Sequence, residues 1–213
     1  PMAPFRLVAG TSRGRALVAA RRFAAGEVVF RERPLHLHAD GDDEPPTADL
    51  ASLPVPERLA ARLPLQGLRD HCREVSAKYP LVIARMVALS LGRAALPGGT
   101  PFEGYWEAVH ALCHRDLGPP PYPDRVCAEH SLLGRAFGSE EARARGAGAL
   151  FEEGGPLDVH WYARTLGVLH RNLLRVSERD VALFAVASML NHDCRPVLAF
   201  DWLTHPGAGH GVA

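Results

Sequence analysis

The chain has 213 residues, 47% apolar and 23% charged, which suffices for one good core or for one core carrying a large insertion. Its 24 basic and 24 acidic residues cancel, so no global field favours nucleic acid or an anionic membrane surface. No apolar run approaches the roughly 20 residues that span a bilayer, and the N-terminus lacks the apolar stretch of a signal peptide. Lys78 is the only lysine; the scattered arginines, with abundant Ala, Gly and Pro, read as a codon-composition bias rather than an anion site. Cys72, Cys113, Cys127 and Cys194 form no C-x-x-C pair. Free thiols in a reducing compartment, cytoplasmic or nuclear, are therefore expected.

The first forty residues read as a small antiparallel β unit. "FRLVAG" and "RALVAA" are β-capable runs separated by "TSRG". A turn at Ala25-Gly26, an apolar run Val28-Val29-Phe30 and alternation through Leu35 and Leu37 follow. "ADGDDEPPTAD" (39–49) is an acidic, proline-bearing loop whose Asp42, Asp43 and Glu44 lack regular ligand spacing. From about 55 to 172 the pattern is helical. "PLVIARMVALSLGRAAL" has Pro80 near a first turn and apolar residues almost all round, which places it in a core. "PFEGYWEAVHALCHR", "PDRVCAEHSLLGRAFG" and "SEEARARGAGALF" are further helices, broken by "LPGGTP" and "LGPPPYP". "PLDVHWYARTLGVLHRNLL" is a longer helix with Val159, Tyr162, Leu166 and Leu169 on one side. "VLAFDWL" reads as a strand. The layout is β, helical insertion, β, with one domain formed from two distant ends.

Three constellations carry chemistry. Cys113, His114, Cys127 and His130 contain one i, i+3 pair suited to a metal, but Cys113 and His114 are adjacent and point apart, so helix-face and core roles are expected and no metal. Cys194 beside His192 offers a thiolate and an imidazole without an orienting third group, the basis of a cysteine-enzyme alternative. Gly14 between Arg13 and Arg15, directly before a strand, lets backbone N–H groups approach a ligand whose carboxylate the arginines engage. The β-like segment after it excludes a dinucleotide-binding turn.

In this order, "RGRALVAARRFAAGEVVFRERPL", "HRNLLRV" and "ALFAVASMLNHDCRPV" resemble the SET domain, the protein-lysine methyltransferase fold; the last is close to the family's N-H-x-C-x-P-N signature with its S-x-L lead. The likeness covers residues 5–38 and 165–203, and the helical stretch between is similar to the insertion of the SET-and-MYND branch, without the MYND zinc module. It implies an α+β fold: small antiparallel β-sheets of a SET domain split by a long helical insertion, with segments 1–38, 39–164 and 165–213. It implies S-adenosylmethionine as cofactor, with Arg13, Gly14 and Arg15 around its methionine part and adenosine, Asn172 at the same end, and Asn191 and His192 meeting its amino group and adenine. The implied partner is a protein substrate presenting a lysine, histone or non-histone, to a monomer that binds neither nucleic acid nor membrane directly. Ala16, Asp193 and Val197 depart from the family's usual Gly, Ser and Asn. The family's catalytic tyrosine segment is expected beyond Ala213; the chain reads as a fragment or a degenerate copy, with weak or absent catalysis and impaired cofactor binding. The other class of function is a non-catalytic interaction module on the same scaffold.

Overall fold

A computed structural model describes residues 5–11, 14–39, 63–99, 101–112, 115, 117–138, 148–151, 154–178, 180–190, 198, 202–205 and 208–212. These residues form a mixed α+β structure. Its contacts divide the chain into two units, 1–37 with 172–213 and the contiguous 38–171.

In the first unit, β1 (Phe5–Thr11) and β2 (Gly14–Ala19) pair antiparallel, Phe5 opposite Ala19 and Thr11 opposite Gly14, with a register irregularity between Val8 and Thr11. A second sheet has the order β3 (His36–His38), β5 (Val181–Leu183), β4 (Leu173–Arg175). Its β4–β5 pair is antiparallel. The connecting turn is closed by Ser177, whose hydroxyl donates to the Asp180 carboxylate and accepts the Asp180 N–H, both at 2.9 Å. A third antiparallel pair joins β6 (Trp202–His205) and β7 (Ala208–Val212). Buried Ala182, Phe184 and Ala187 form a small core against which Phe30, Leu37, Leu174 and Val176 pack.

The run Val28-Val29-Phe30, expected as a strand, is irregular. Side-chain burial rather than a ladder holds it: Phe30 packs on this core and meets the Phe5 ring edge-on at 5.3 Å. The turn before it follows the sequence reading. Gly26 has φ +79, a left-handed conformation that favours glycine, and Glu27 closes the turn by accepting the Ala24 N–H at 2.9 Å.

The second unit is helical: α1 (Gln66–Glu74), α2 (Tyr79–Ala94), α3 (Phe102–His110), α4 (Asp124–Phe137) and α5 (Val159–Asn172), whose last residue belongs to the first unit. As its all-round apolar pattern predicts, α2 is buried from Pro80 through Ala84 and again from Met86 through Ser90, with Pro80 in its first turn. α3 ends earlier than its sequence suggests, at His110, whose carbonyl accepts from Arg164 at 3.1 Å. It docks on α5 through Trp106 and Trp161, with ring centroids 4.7 Å apart and edge to face. α4 packs Phe137 in a stack on Phe151 of the 3-10 turn Gly148–Phe151. That turn is the described part of "SEEARARGAGALF", the remainder of which lies outside the described residues.

α5 is capped by Asp158, whose side chain accepts the Trp161 N–H at 2.9 Å. Tyr162, Leu166 and Leu169 on it are buried. It stops at Asn172 because Leu173 and Leu174 pair across the β4–β5 ladder with Leu183 and Ala182. Mid-helix, Gly167 is obligatory: its carbonyl accepts the Arg115 N–H, and a Cβ there would sit 2.2 Å from the Arg115 carbonyl oxygen.

At the centre of this unit the carboxylate of Glu129, 1% exposed, accepts from Arg125 Nε at 2.8 Å and the Tyr162 hydroxyl at 3.0 Å, with His71 Nε2 3.4 Å away. Burial first, then the Glu129 charge, pushes the Tyr162 hydroxyl far above the usual tyrosine range, so it remains a donor. Tyr162→Phe is expected to lower unfolding stability by about 1–2 kcal/mol in urea titrations, because a buried carboxylate loses one of its donors; unchanged stability would show that the bond is dispensable.

His170, whose ring meets that of Tyr79 at a tilt with centroids 4.4 Å apart, provides a pH signature. Burial, then Arg115 and Arg125, holds its imidazolium below the ordinary value of 6.5, against an opposing pull from Glu129. A depressed histidine pKa means that the unfolded chain binds more protons below that value. Its contribution is therefore complete above about pH 6.5 and lost as pH falls through it. The melting temperature should fall less between about pH 7.5 and pH 5 in His170→Phe than in the parent; identical slopes would refute this.

Candidate functional site

The first unit contains one place where segments that carry expected ligand-binding residues meet. It is the 3-10 turn Ala187–Met189, which ends in extended Leu190 (φ −72, ψ 125) immediately before Asn191. β2, which Gly14 and Arg15 open, packs alongside this turn. Asn172, 2% exposed at the end of α5, accepts a hydrogen bond from the Ser188 hydroxyl on its backbone carbonyl at 3.4 Å. β2 and Asn172, far apart in the sequence, thus both reach the turn that leads into the signature. Arg13, Asn191 and His192 lie outside the described residues, as does Cys194.

A carboxylate fixes this turn. Glu32 receives the Val186 N–H on Oε1 at 2.7 Å and the Ala187 N–H on Oε2 at 2.9 Å. The first N–H groups of a helical turn have no partner inside it, and a carboxylate with two oxygens satisfies two at once. Below it, Ala187 is inserted into the Ala182–Phe184 core. The turn is thereby held from both sides, by charge-assisted bonds and by apolar packing.

Glu32 was not singled out from the sequence, where "RER" looks like a solvated charge run. Its one distinguishing signal is position: it sits between two exposed arginines yet is itself half-buried. Ser188 was visible only as the first residue of the S-x-L lead.

The donor chemistry here suits a zwitterionic ligand with a cationic centre. Asn172 and Ser188 are neutral polar residues, and the carboxylate of Glu32 is taken up by backbone N–H groups. On these grounds the described residues are compatible with S-adenosylmethionine, a sulfonium that also carries an amino and a carboxylate group.

The metal constellation does not assemble around its described members. The Cys127 thiol is exposed and points to the Tyr122 carbonyl at 3.8 Å, while His130 Nε2 is engaged with the Leu157 carbonyl at 2.9 Å. Cys113, His114 and the acidic run 42–44 lie outside the described residues. Among the described residues no group of three or more His, Cys, Asp or Glu could hold a metal ion, and no helix is long and apolar enough to cross a membrane. Comparison with protein-family models, curated proteins and solved structures finds no match to this chain.

Glu32→Ala removes the acceptor of two N–H groups and is expected to cost about 2 kcal/mol. Glu32→Gln, which keeps one acceptor oxygen, should cost less. Equal midpoints for the parent and Glu32→Ala in chemical denaturation would show that the turn does not depend on this carboxylate.

Proposed function

We propose that the chain is a SET-type domain whose activity is S-adenosylmethionine-dependent methylation of a protein lysine. What supports the reading above all is the convergence of β2, Asn172 and the turn preceding Asn191, three segments that the resemblance assigns to one cofactor pocket.

When bound, S-adenosylmethionine supplies an electrophilic methyl group. The chain's own residues hold and orient it. Gly14 opens a strand without a side chain, which lets backbone N–H groups come close, while Arg13 and Arg15 engage a carboxylate. Asn172 and Asn191 offer neutral amides, which solvate a cationic ligand without trapping it as an ion pair. Rate then comes mainly from alignment: a neutral lysine amine and the methyl group brought into line in a fixed geometry. The anchored turn 187–189 sets where that alignment begins, because Asn191 follows it by two residues.

The test is calorimetric titration of the 213-residue chain with S-adenosylmethionine. Saturable binding is expected, weakened about tenfold or more by Asn191→Ala through loss of an amide bonded to a charged group, and unchanged by Cys194→Ser. Loss of binding in Cys194→Ser with none in Asn191→Ala would reverse the assignment and favour a thiol-centred site. No saturable binding at all would remove the cofactor from the reading.

A further inference from the structure

The helical unit has an open groove of about 380 Å³ where the end of α1, the starts of α2 and α4, and the last turns of α5 come together. A volume of this order falls at the small end of known ligand sites. Its floor is apolar, with Pro80, Val126 and Leu166 buried in it.

The polar groups of the lining fall into two sets. The acceptor, Glu129, is satisfied: it takes hydrogen bonds from Arg125 Nε and the Tyr162 hydroxyl and has His71 beside it. The donors face solvent: the terminal nitrogens of Arg125, with about half of its side chain exposed, the His170 imidazole and the Ser76 hydroxyl all line the groove and have no hydrogen-bond partner among the described residues. Ser76 also occupies the left-handed position that ends α1 (φ 50), where glycine is the usual residue, so a hydroxyl stands at the rim where the backbone alone would favour no side chain. The acceptor is taken and the exposed donors have only water as partner, so a ligand entering this groove would exchange that water for acceptor atoms of its own.

We infer that this groove binds a carboxylate carried on a compact apolar body, the carboxylate between Arg125 and His170 and the apolar part against Pro80, Val126 and Leu166. The planar guanidinium fork matches a carboxylate. A phosphate would turn additional charged oxygens toward an apolar floor, at a desolvation cost. The field agrees in sign: at His170 the arginines Arg115 and Arg125 outweigh the Glu129 carboxylate. The site lies wholly in the helical unit and does not depend on the cofactor reading above.

The experiment is a titration of the full chain with sodium benzoate, followed by backbone amide signals in nitrogen-15 NMR, with benzamide as the neutral isostere. Benzoate is expected to shift signals at 75–80, 123–126 and 166–170, and benzamide to bind about tenfold more weakly, since it forfeits the charge-assisted pair. Arg125→Gln should weaken benzoate about tenfold as well. His170→Phe, which keeps a ring on Tyr79 and leaves every partner of Glu129 in place, should weaken it severalfold and serves if the arginine variant does not fold. Bound benzoate should also raise the pH at which His170 titrates, against the fixed surroundings of Tyr79, Arg115, Arg125 and Glu129. N-acetylphenylalanine as a second ligand separates a free acid from a chain terminus: the tighter of the two names the source. Equal affinity for benzoate and benzamide, tighter binding of inorganic phosphate than of benzoate, shifts mapping elsewhere, or parental affinity in His170→Phe would overturn the inference.

Discussion

The two oxygens of Glu32 hold the N–H groups of residues 154 and 155 positions further along the chain, and the first unit is organised around that contact. A helical turn of three residues cannot satisfy its own leading N–H groups and is marginal unless something outside supplies acceptors. Once a carboxylate supplies them, the turn becomes a fixed reference. β2 lies along it, the Asn172 carbonyl receives its serine hydroxyl, and Ala187 closes the core of Phe184 and Ala182. A pocket assembled from distant segments needs such a reference, because each segment alone is too short to hold its own geometry.

The helical unit solves a different problem. Its central helix is buried nearly all round, so the surrounding helices must supply both packing and the few polar groups needed inside. Glu129 is, among the described residues, the carboxylate brought fully into that interior, and Arg125, Tyr162 and His71 gather around it from three helices. An isolated buried carboxylate is costly, whereas one with several donors can hold those helices in a single register. Arg125 gives its Nε to Glu129 and keeps about half of its side chain exposed, so a groove with solvent-facing donors lies beside a satisfied acid.

Much of this was legible in the sequence where periodicity is strong. α2, α4 and α5 follow their apolar patterns, and the antiparallel pairing of β1 with β2 follows from two short β-capable runs. Errors arose where a long-range contact overrides local preference. Val28-Val29-Phe30 has strand chemistry but is held by burial of Phe30, and Leu173-Leu174 has helix chemistry but pairs with Ala182 and Leu183. Of the candidate site, Gly14 and Asn172 could be named from sequence because they lie in motif-like stretches. Glu32 could not, because its role exists only once residues 186 and 187 are beside it. Arg125, His170 and Ser76 were likewise silent, since donors drawn from two helices and the turn after a third leave no spacing pattern.

One consequence concerns the order of assembly during synthesis. The helical unit is contiguous, from 38 to 171, whereas the first unit needs both ends of the chain. At about 5–20 residues per second, Glu32 waits on the order of ten seconds or more for Val186 to be made. During that interval β1 and β2 exist only as a two-stranded ribbon, with Leu7 and Val18 exposed even in the finished structure. The helical unit, contiguous in sequence, is synthesised in full before Val186 and can collapse first. The two ends of the chain thus meet late, after the contiguous helical unit has been made.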